Sequence, residues 1–205
     1  MNRRNFCLSS LATAFSGAAL GAGCMPGQSA AVPGAASRDN LRLSRDSLGL
    51  YKFVYDRRYP SAQAFGAAAA LAPSAAGIAA ITGDITELWL RDLEPVWRAA
   101  GGVIAGMTTS RSLLCLEQLA KDHWMRVAVR VEHVMVGGLI AHRLTVAESM
   151  LSRMHRALAT EEWAAKLPAA FATCGLADDA LVSRVIDSTC RSAGTGETLV
   201  SFVIA

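Results

Sequence analysis

From Tyr51 onward, apolar positions alternate between two periods, and the switching sets out the elements. Tyr51-Lys52-Phe53-Val54-Tyr55 is aromatic and β-branched and predicts a first strand. Pro60 suits the first turn of a helix, where its missing N–H would have no partner anyway. Ala64, Phe65, Ala68 and Leu71 then fall on one helical face, and Pro73 and Gly77 close that helix. Ile78–Thr82 predicts a short buried strand ending at Gly83-Asp84. Asp84 stands three residues before Glu87, the spacing of a reciprocal cap, and the helix behind it runs to Pro95, which ends or kinks it. Val103–Met107 is a third strand. Thr108, Thr109 and Ser110 offer hydroxyls to cap the helix whose stripe is Leu113, Leu116, Leu119 and Ala120.

After Trp124 the pattern changes. Val127, Val129 and Val131 alternate with Arg126, Ala128, Arg130 and Glu132, as in a half-exposed strand. Gly137-Gly138 is a two-residue turn signal, with Leu139–Leu144 returning as the antiparallel partner; the alternative is one long irregular strand, or a loop, across the glycines. Helices are expected over 145–159 (Val146, Met150, Met154 and Ala157 inward), over 161–174 with a bend at Pro168, and over 180–190. Residues 198–204 form a final strand. Strand–helix units in series predict an α/β fold, a three-layer sandwich, loosely Rossmann-like, with a mixed and mostly parallel sheet.

Composition refines this picture. The 205 residues are 52% hydrophobic and 18% charged, enough for one full core and too little charge for a disordered tail. The N-terminal 31 residues stand apart: Arg3-Arg4 precedes an apolar, small-residue run to Ala22, the build of a secretory signal. Residues 32–49 form a linker and N-terminal extension, and 50–205 a single α/β domain. Removing Arg3 and Arg4 from the 20 basic residues leaves 18 against 17 acidic, a net of +1, which is no footprint for nucleic acid. There is no run of Lys and Arg to grip an anionic membrane, and no transmembrane stretch beyond the signal.

The pair Arg3-Arg4 with Phe6 resembles the twin-arginine (Tat) export signal, departing from it at Asn2, where Ser or Thr is typical; an ordinary secretory signal is the alternative. Ser29-Ala30-Ala31 fits a small-x-small cleavage site. Leu20–Cys24 looks like a lipoprotein box in which Cys24 would be lipidated, although Leu20 lies four residues before the cysteine instead of three. The Tat resemblance implies export of an already folded chain to the periplasm, often with a cofactor or a folded partner. A larger Tat-exported redox enzyme is the partner so implied; no residue names a cofactor.

Ligands in open α/β sheets bind beyond the carboxyl ends of the strands. That rule gathers Asp56, Arg57, Asp84, Thr86, Thr108, Thr109 and Ser110 into a candidate site for a small anionic ligand, with Arg57 or Arg111 as clamp. Asp84 is the candidate general base; capping is the competing role for Asp84 and for the hydroxyls. Asp56 with Asp84 offers two oxygen ligands for magnesium, too few without a phosphate-binding loop. Phosphate-binding, dinucleotide-binding, nucleophile-elbow and zinc-protease motifs are absent, and so is any C-x-x-C. A non-catalytic ligand-binding or accessory subunit is therefore the first expectation. A small periplasmic enzyme acting at the strand ends is the second, and a module docking through Trp89 and Trp97, two turns apart, is the third. His133 and His142 flank the Gly-Gly turn at equal distance, so a hairpin would set them opposite one another, able to share a metal, with Glu132 on the other face. Cys174 and Cys190 are a candidate disulfide, and Cys115 reads as a small buried hydrophobe.

Overall fold

In the computed structural model the described residues are 49–72, 76–99, 101–136, 139–172, 180–191 and 198–205. The export segment with Cys24, most of the linker, the Gly137-Gly138 turn and Cys174 lie outside them, and the Cys174–Cys190 pairing with it.

The described residues hold seven strands in one mixed sheet, ordered β2-β1-β3-β7-β4-β5-β6. These are β1 (Leu50–Asp56), β2 (Gly77–Ile81), β3 (Val103–Thr109), β4 (Val127–Val136), β5 (Leu139–Ala147), β6 (Leu181–Arg191) and β7 (Leu199–Ile204). Only the β1–β2 and β1–β3 pairs are parallel; β3–β7, β7–β4, β4–β5 and β5–β6 are antiparallel. The α/β class holds, whereas the mostly parallel sheet gives way to a mostly antiparallel one. The cause lies in the second half of the chain. The β4–β5 hairpin forms with Val136 opposite Leu139, and β5 runs on to Ala147, through Thr145 and Val146 where a helix was expected. Residues 181–191, read as helical, instead pair along β5. Val182, Val185 and Ile186 are β-branched, and pairing with an already formed hairpin overrides weak helical periodicity.

The helices are α1 (Pro60–Ala70), α2 (Thr86–Leu88), a π segment (Trp89–Leu93), α3 (Glu94–Ala99), α4 (Ser110–Asp122), a 3-10 turn (Glu148–Met150), α5 (Leu151–Leu158) and α6 (Trp163–Ala172). Pro95 does not end its helix. The π turn immediately precedes it, and Pro95 has no N–H to offer the carbonyl a turn earlier. Pro168 is likewise held inside α6. Helix α1 buries Ala62, Phe65, Gly66 and Ala69, a face rotated from the expected one, so that Leu71 is left 87% exposed.

Neighbouring residues of one strand point to opposite faces, and the core divides accordingly. Phe53, Ala105, Met107, Val131, Leu144 and Val203 pack with α1, α5 and α6. Val54, Ile104, Val200, Phe202 and Ile204 pack with α4, Leu88 and Leu93. Strand β7 is buried along its whole length. Strand β2, expected to be buried, is instead a largely exposed edge. Helices α1 and α4 follow adjacent parallel strands yet pack on opposite faces, so the connections leaving β1 and β3 diverge, as at a topological switch point.

At the centre, Gly106 permits a close approach of its neighbours. A Cβ there would lie 2.4 Å from the Val54 carbonyl oxygen and 2.7 Å from the Phe202 ring. Gly106→Ala is expected to cost about 2 kcal/mol through overpacking, read as a lowered urea midpoint with an unchanged slope.

Candidate functional site

The switch point is filled by side chains of the protein itself. Asp56, fully buried at the end of β1, takes the Arg58 guanidinium as a fork, Nε to Oδ1 at 2.9 Å and Nη2 to Oδ2 at 2.7 Å. The Arg58 backbone N–H adds a bond to Oδ1 at 3.2 Å, which folds the turn after β1 back on itself. Gly83 makes room for that guanidinium. Its φ is 91°, and a Cβ would sit 2.4 Å from Arg58 Nη2. The Gly83 carbonyl accepts from Ser112 Oγ at 2.7 Å, tying the loop after β2 to the first turn of α4. Thr109 is the N-cap of α4, its Oγ1 accepting the Ser112 N–H at 3.4 Å. Thr108 is buried and its hydroxyl has no partner among the described residues. Ser110, the first residue of α4, is exposed.

Asp84 lies outside this cluster, exposed. Its Oδ1 accepts the Thr86 N–H at 2.9 Å and the Thr86 hydroxyl at 2.7 Å. These two bonds, the backbone one first, hold the carboxyl below its ordinary range, which makes Asp84 a turn-former and a poor general base. The reciprocal cap does not form, because Glu87 pairs forward with Arg91 at 2.7 Å. Asp56 is committed to Arg58, and no group of three or more metal-ligating side chains occurs among the described residues. The magnesium arrangement is therefore not assembled.

A cleft of about 640 Å³ runs along β2. Ile78–Thr82 and Leu88 line it, with Arg57 and Asp84 at the strand end and Glu87, Arg91 and Asp92 along the helical side. Most of its charges are already paired, Arg91 with Glu87 and Asp92 with Lys52, both at 2.7 Å. Arg57 is exposed and its guanidinium has no partner among the described residues. The strand-end residues thus divide in two. Asp56, Thr108 and Thr109 are buried structural groups, while Arg57 and Asp84 face the cleft. Arg58, which the sequence places beside Arg57 at the strand end as a solvated charge, is instead bound to Asp56; Ser112 went unnoticed, and the Thr109-x-x-Ser112 spacing of a helix start was the available signal for it.

A second polar cluster lies inside the core. His133 and His142 are directly opposed on β4 and β5, Nδ1 to Nδ1 at 2.7 Å. His133 Nε2 is 2.7 Å from Ser201 Oγ on β7. The indole of Trp163, at the start of α6, covers both rings at 4.2 and 4.9 Å between centroids. The hairpin thus produces the expected juxtaposition, with Glu132 turned away to Arg130 and Arg143. The two Nδ1 atoms bond to each other; a tetrahedral metal at about 2.0 Å from each would hold them roughly 3.3 Å apart. His142 Nε2 is buried without a partner among the described residues. An orphan acceptor is tolerated better than an orphan N–H. We therefore assign the proton of His142 to Nδ1, donating to His133 Nδ1, and that of His133 to Nε2, donating to Ser201.

Burial lowers the basicity of both imidazoles. His142 is brought from 6.5 to about 4, and His133 falls well below its ordinary value, first through burial and then through repulsion from His142. Trp97 is also a core residue, donating Nε1–H to the Gly102 carbonyl at 2.8 Å and packing edge-on to the half-buried Trp89. No docking face forms from that pair. Cys115, expected to be buried, is exposed, because Leu113, Leu116 and Ala120 take the sheet-facing stripe.

Comparison with family models, with curated proteins and with solved structures finds no match to this chain.

Two outcomes follow from the polar clusters. Neutral histidine is favoured in the folded state, so the unfolded chain binds more protons below about pH 6.5. Stability then falls as pH drops toward about 4, by of order 3 kcal/mol for His142 alone. Urea midpoints measured across that range should decline, with a shallower slope in His142→Asn. Asp56→Asn removes the carboxylate that the half-exposed Arg58 guanidinium grips and is expected to cost about 2 kcal/mol, measured by thermal unfolding at neutral pH.

Proposed function

We propose that this chain is an exported, non-catalytic binding protein whose ligand seat is the cleft along β2, and that it serves as a ligand-binding or accessory subunit beside a larger exported redox enzyme. The observation that carries the binding reading is Arg57, a cation at the strand-end side of the cleft with no intramolecular partner among the described residues, in a site where Glu87, Arg91 and Asp92 are ion-paired and Asp84 is hydrogen-bonded to Thr86. A small anion carrying a carboxylate or phosphate would complete it by a charge-assisted bond. The exposed edge of β2 adds backbone donors and acceptors beside the guanidinium. The β2-β1-β3 portion, with α1 and α4 on opposite faces, is read as the Rossmann-like, three-layer part of the fold.

The choice against catalysis rests on how the polar side chains are used: Asp56 holds Arg58, Asp84 holds Thr86, and Thr109 caps α4. Export to the periplasm, and the accessory role with it, rests on the Arg3-Arg4 segment; lipid attachment through Cys24 is the alternative outcome of the same segment.

Thermal unfolding of the exported chain against phosphate, sulfate and small carboxylates tests the seat. At least one anion should raise the melting temperature in the parent and leave Arg57→Ala unmoved. Equal shifts in both proteins, or none with any anion, would sink the proposal. Native mass spectrometry of the same sample reads the processed N-terminus: a chain starting near Val32 fits the soluble form, and one starting at Cys24 with acyl mass fits the anchored form.

A further inference from the structure

Helix α4 ends in a closed turn. The N–H of His123 bonds to the Ala120 carbonyl at 3.0 Å, that of Trp124 to Lys121 at 3.2 Å and that of Met125 to Ala120 at 3.0 Å. In this arrangement the residue just past the cap takes the left-handed conformation, usually as glycine, and the next apolar residue packs back on the helix. Met125 and Ala120 make that buried pair. The left-handed position is held by Trp124, at φ 61° and 98% exposed. The largest side chain thus occupies a place where a Cβ is disfavoured and contributes almost nothing to the core. It projects off the end of the helix into solvent.

The surroundings give the patch a character. Lys121 and Arg126 flank Trp124 and are exposed. Lys121 reaches only Gln118, at 3.3 Å, and the Arg126 side chain has no partner among the described residues. Asp122 is the one acid on this turn, and His123 is half-buried between Trp89 and Trp97. The Arg126 backbone is fixed by paired bonds to Ala205 at 2.8 and 3.0 Å. A hollow of about 530 Å³ adjoins the turn, with His123, Met125, Trp97 and Arg98 in its wall, the last paired with Glu94. Gly49 lines the same hollow.

We infer that this end docks on an anionic lipid bilayer, with the Trp124 indole among the headgroups and Lys121 and Arg126 against lipid phosphates. An indole ringed by solvated charges suits a headgroup layer, which is apolar on one side and wet on the other. A protein hot spot would instead sit within a closely packed apolar surround. The two cations lie five residues apart, at a helix end and just before a strand, on either side of Trp124 in one closed turn, and they form no run in the sequence. The inference stands apart from the Arg57 cleft and does not depend on lipidation of Cys24.

The test uses the full chain carrying Cys24→Ser, so that no acyl anchor contributes, with vesicles of phosphatidylglycerol and phosphatidylcholine. At millimolar lipid and low salt the protein should sediment with the mixed vesicles, and its tryptophan emission should shift to the blue. Binding should weaken about tenfold with pure phosphatidylcholine, at high salt, and in Lys121→Glu/Arg126→Glu. Trp124→Gly should bind at least as weakly while melting no lower than the parent, since glycine suits that backbone. Absence of sedimentation, equal binding to neutral vesicles, or full binding by Trp124→Gly would each overturn the inference. Loss of a bound protein in Trp124→Gly without any vesicle binding would overturn it in favour of a protein partner.

Discussion

Strands β3 and β7 are buried on both faces, and that constraint governs the rest of the sheet. A strand with no access to water must find a partner for each backbone N–H and C=O in its neighbours. β7 does so by pairing β3 on one side and β4 on the other, and it joins a parallel half to an antiparallel half. Gly106 and Phe202 interlock across that seam. Each polar cluster hangs from one half or the other. The cleft and the Asp56–Arg58 fork belong to the parallel part, and the histidine pair to the hairpin that β7 holds in register.

The first half of the chain was largely legible because each element there is marked by local chemistry: Pro60 at a helix start, Gly83 at a strand end, Thr109 at a cap. The second half was less so. Residues 181–191 carry apolar positions compatible with either period, and it is the open edge of β5 that pairs with them as a strand. Strand order is a long-range property, so nothing local announced that β7 would lie between β3 and β4. That insertion turns a sheet expected to be mostly parallel into a mostly antiparallel one.

The candidate site shows the same division. The strand-end rule gathered one neighbourhood, but residue identity could not say which polar groups would be consumed by the fold. Asp56 and Thr109 are consumed, while Arg57, beside Asp56, is not. Whether neighbouring charges pair or stay free depends on the direction of single side chains, here decided by the space that Gly83 leaves above its backbone. The histidines were the opposite case: equal spacing about Gly137-Gly138 set their meeting. Their exclusion from water under Trp163 could be learned only from the helix layer above them.

The middle position of β7 also bears on how the molecule is made. β7 follows the other six strands in sequence. While synthesis proceeds, β3 and β4 each present an open, apolar edge that nothing in the emerged chain can close. The two halves can therefore become one sheet only after the seventh strand has itself been synthesised. Their joining comes late by topology, through contacts distant along the chain, and pairings of that kind form slowly. During that interval the incomplete chain is exposed to pairing with strands of other molecules. A holding chaperone bound over β3 and β4 would protect the seam into which β7 later inserts.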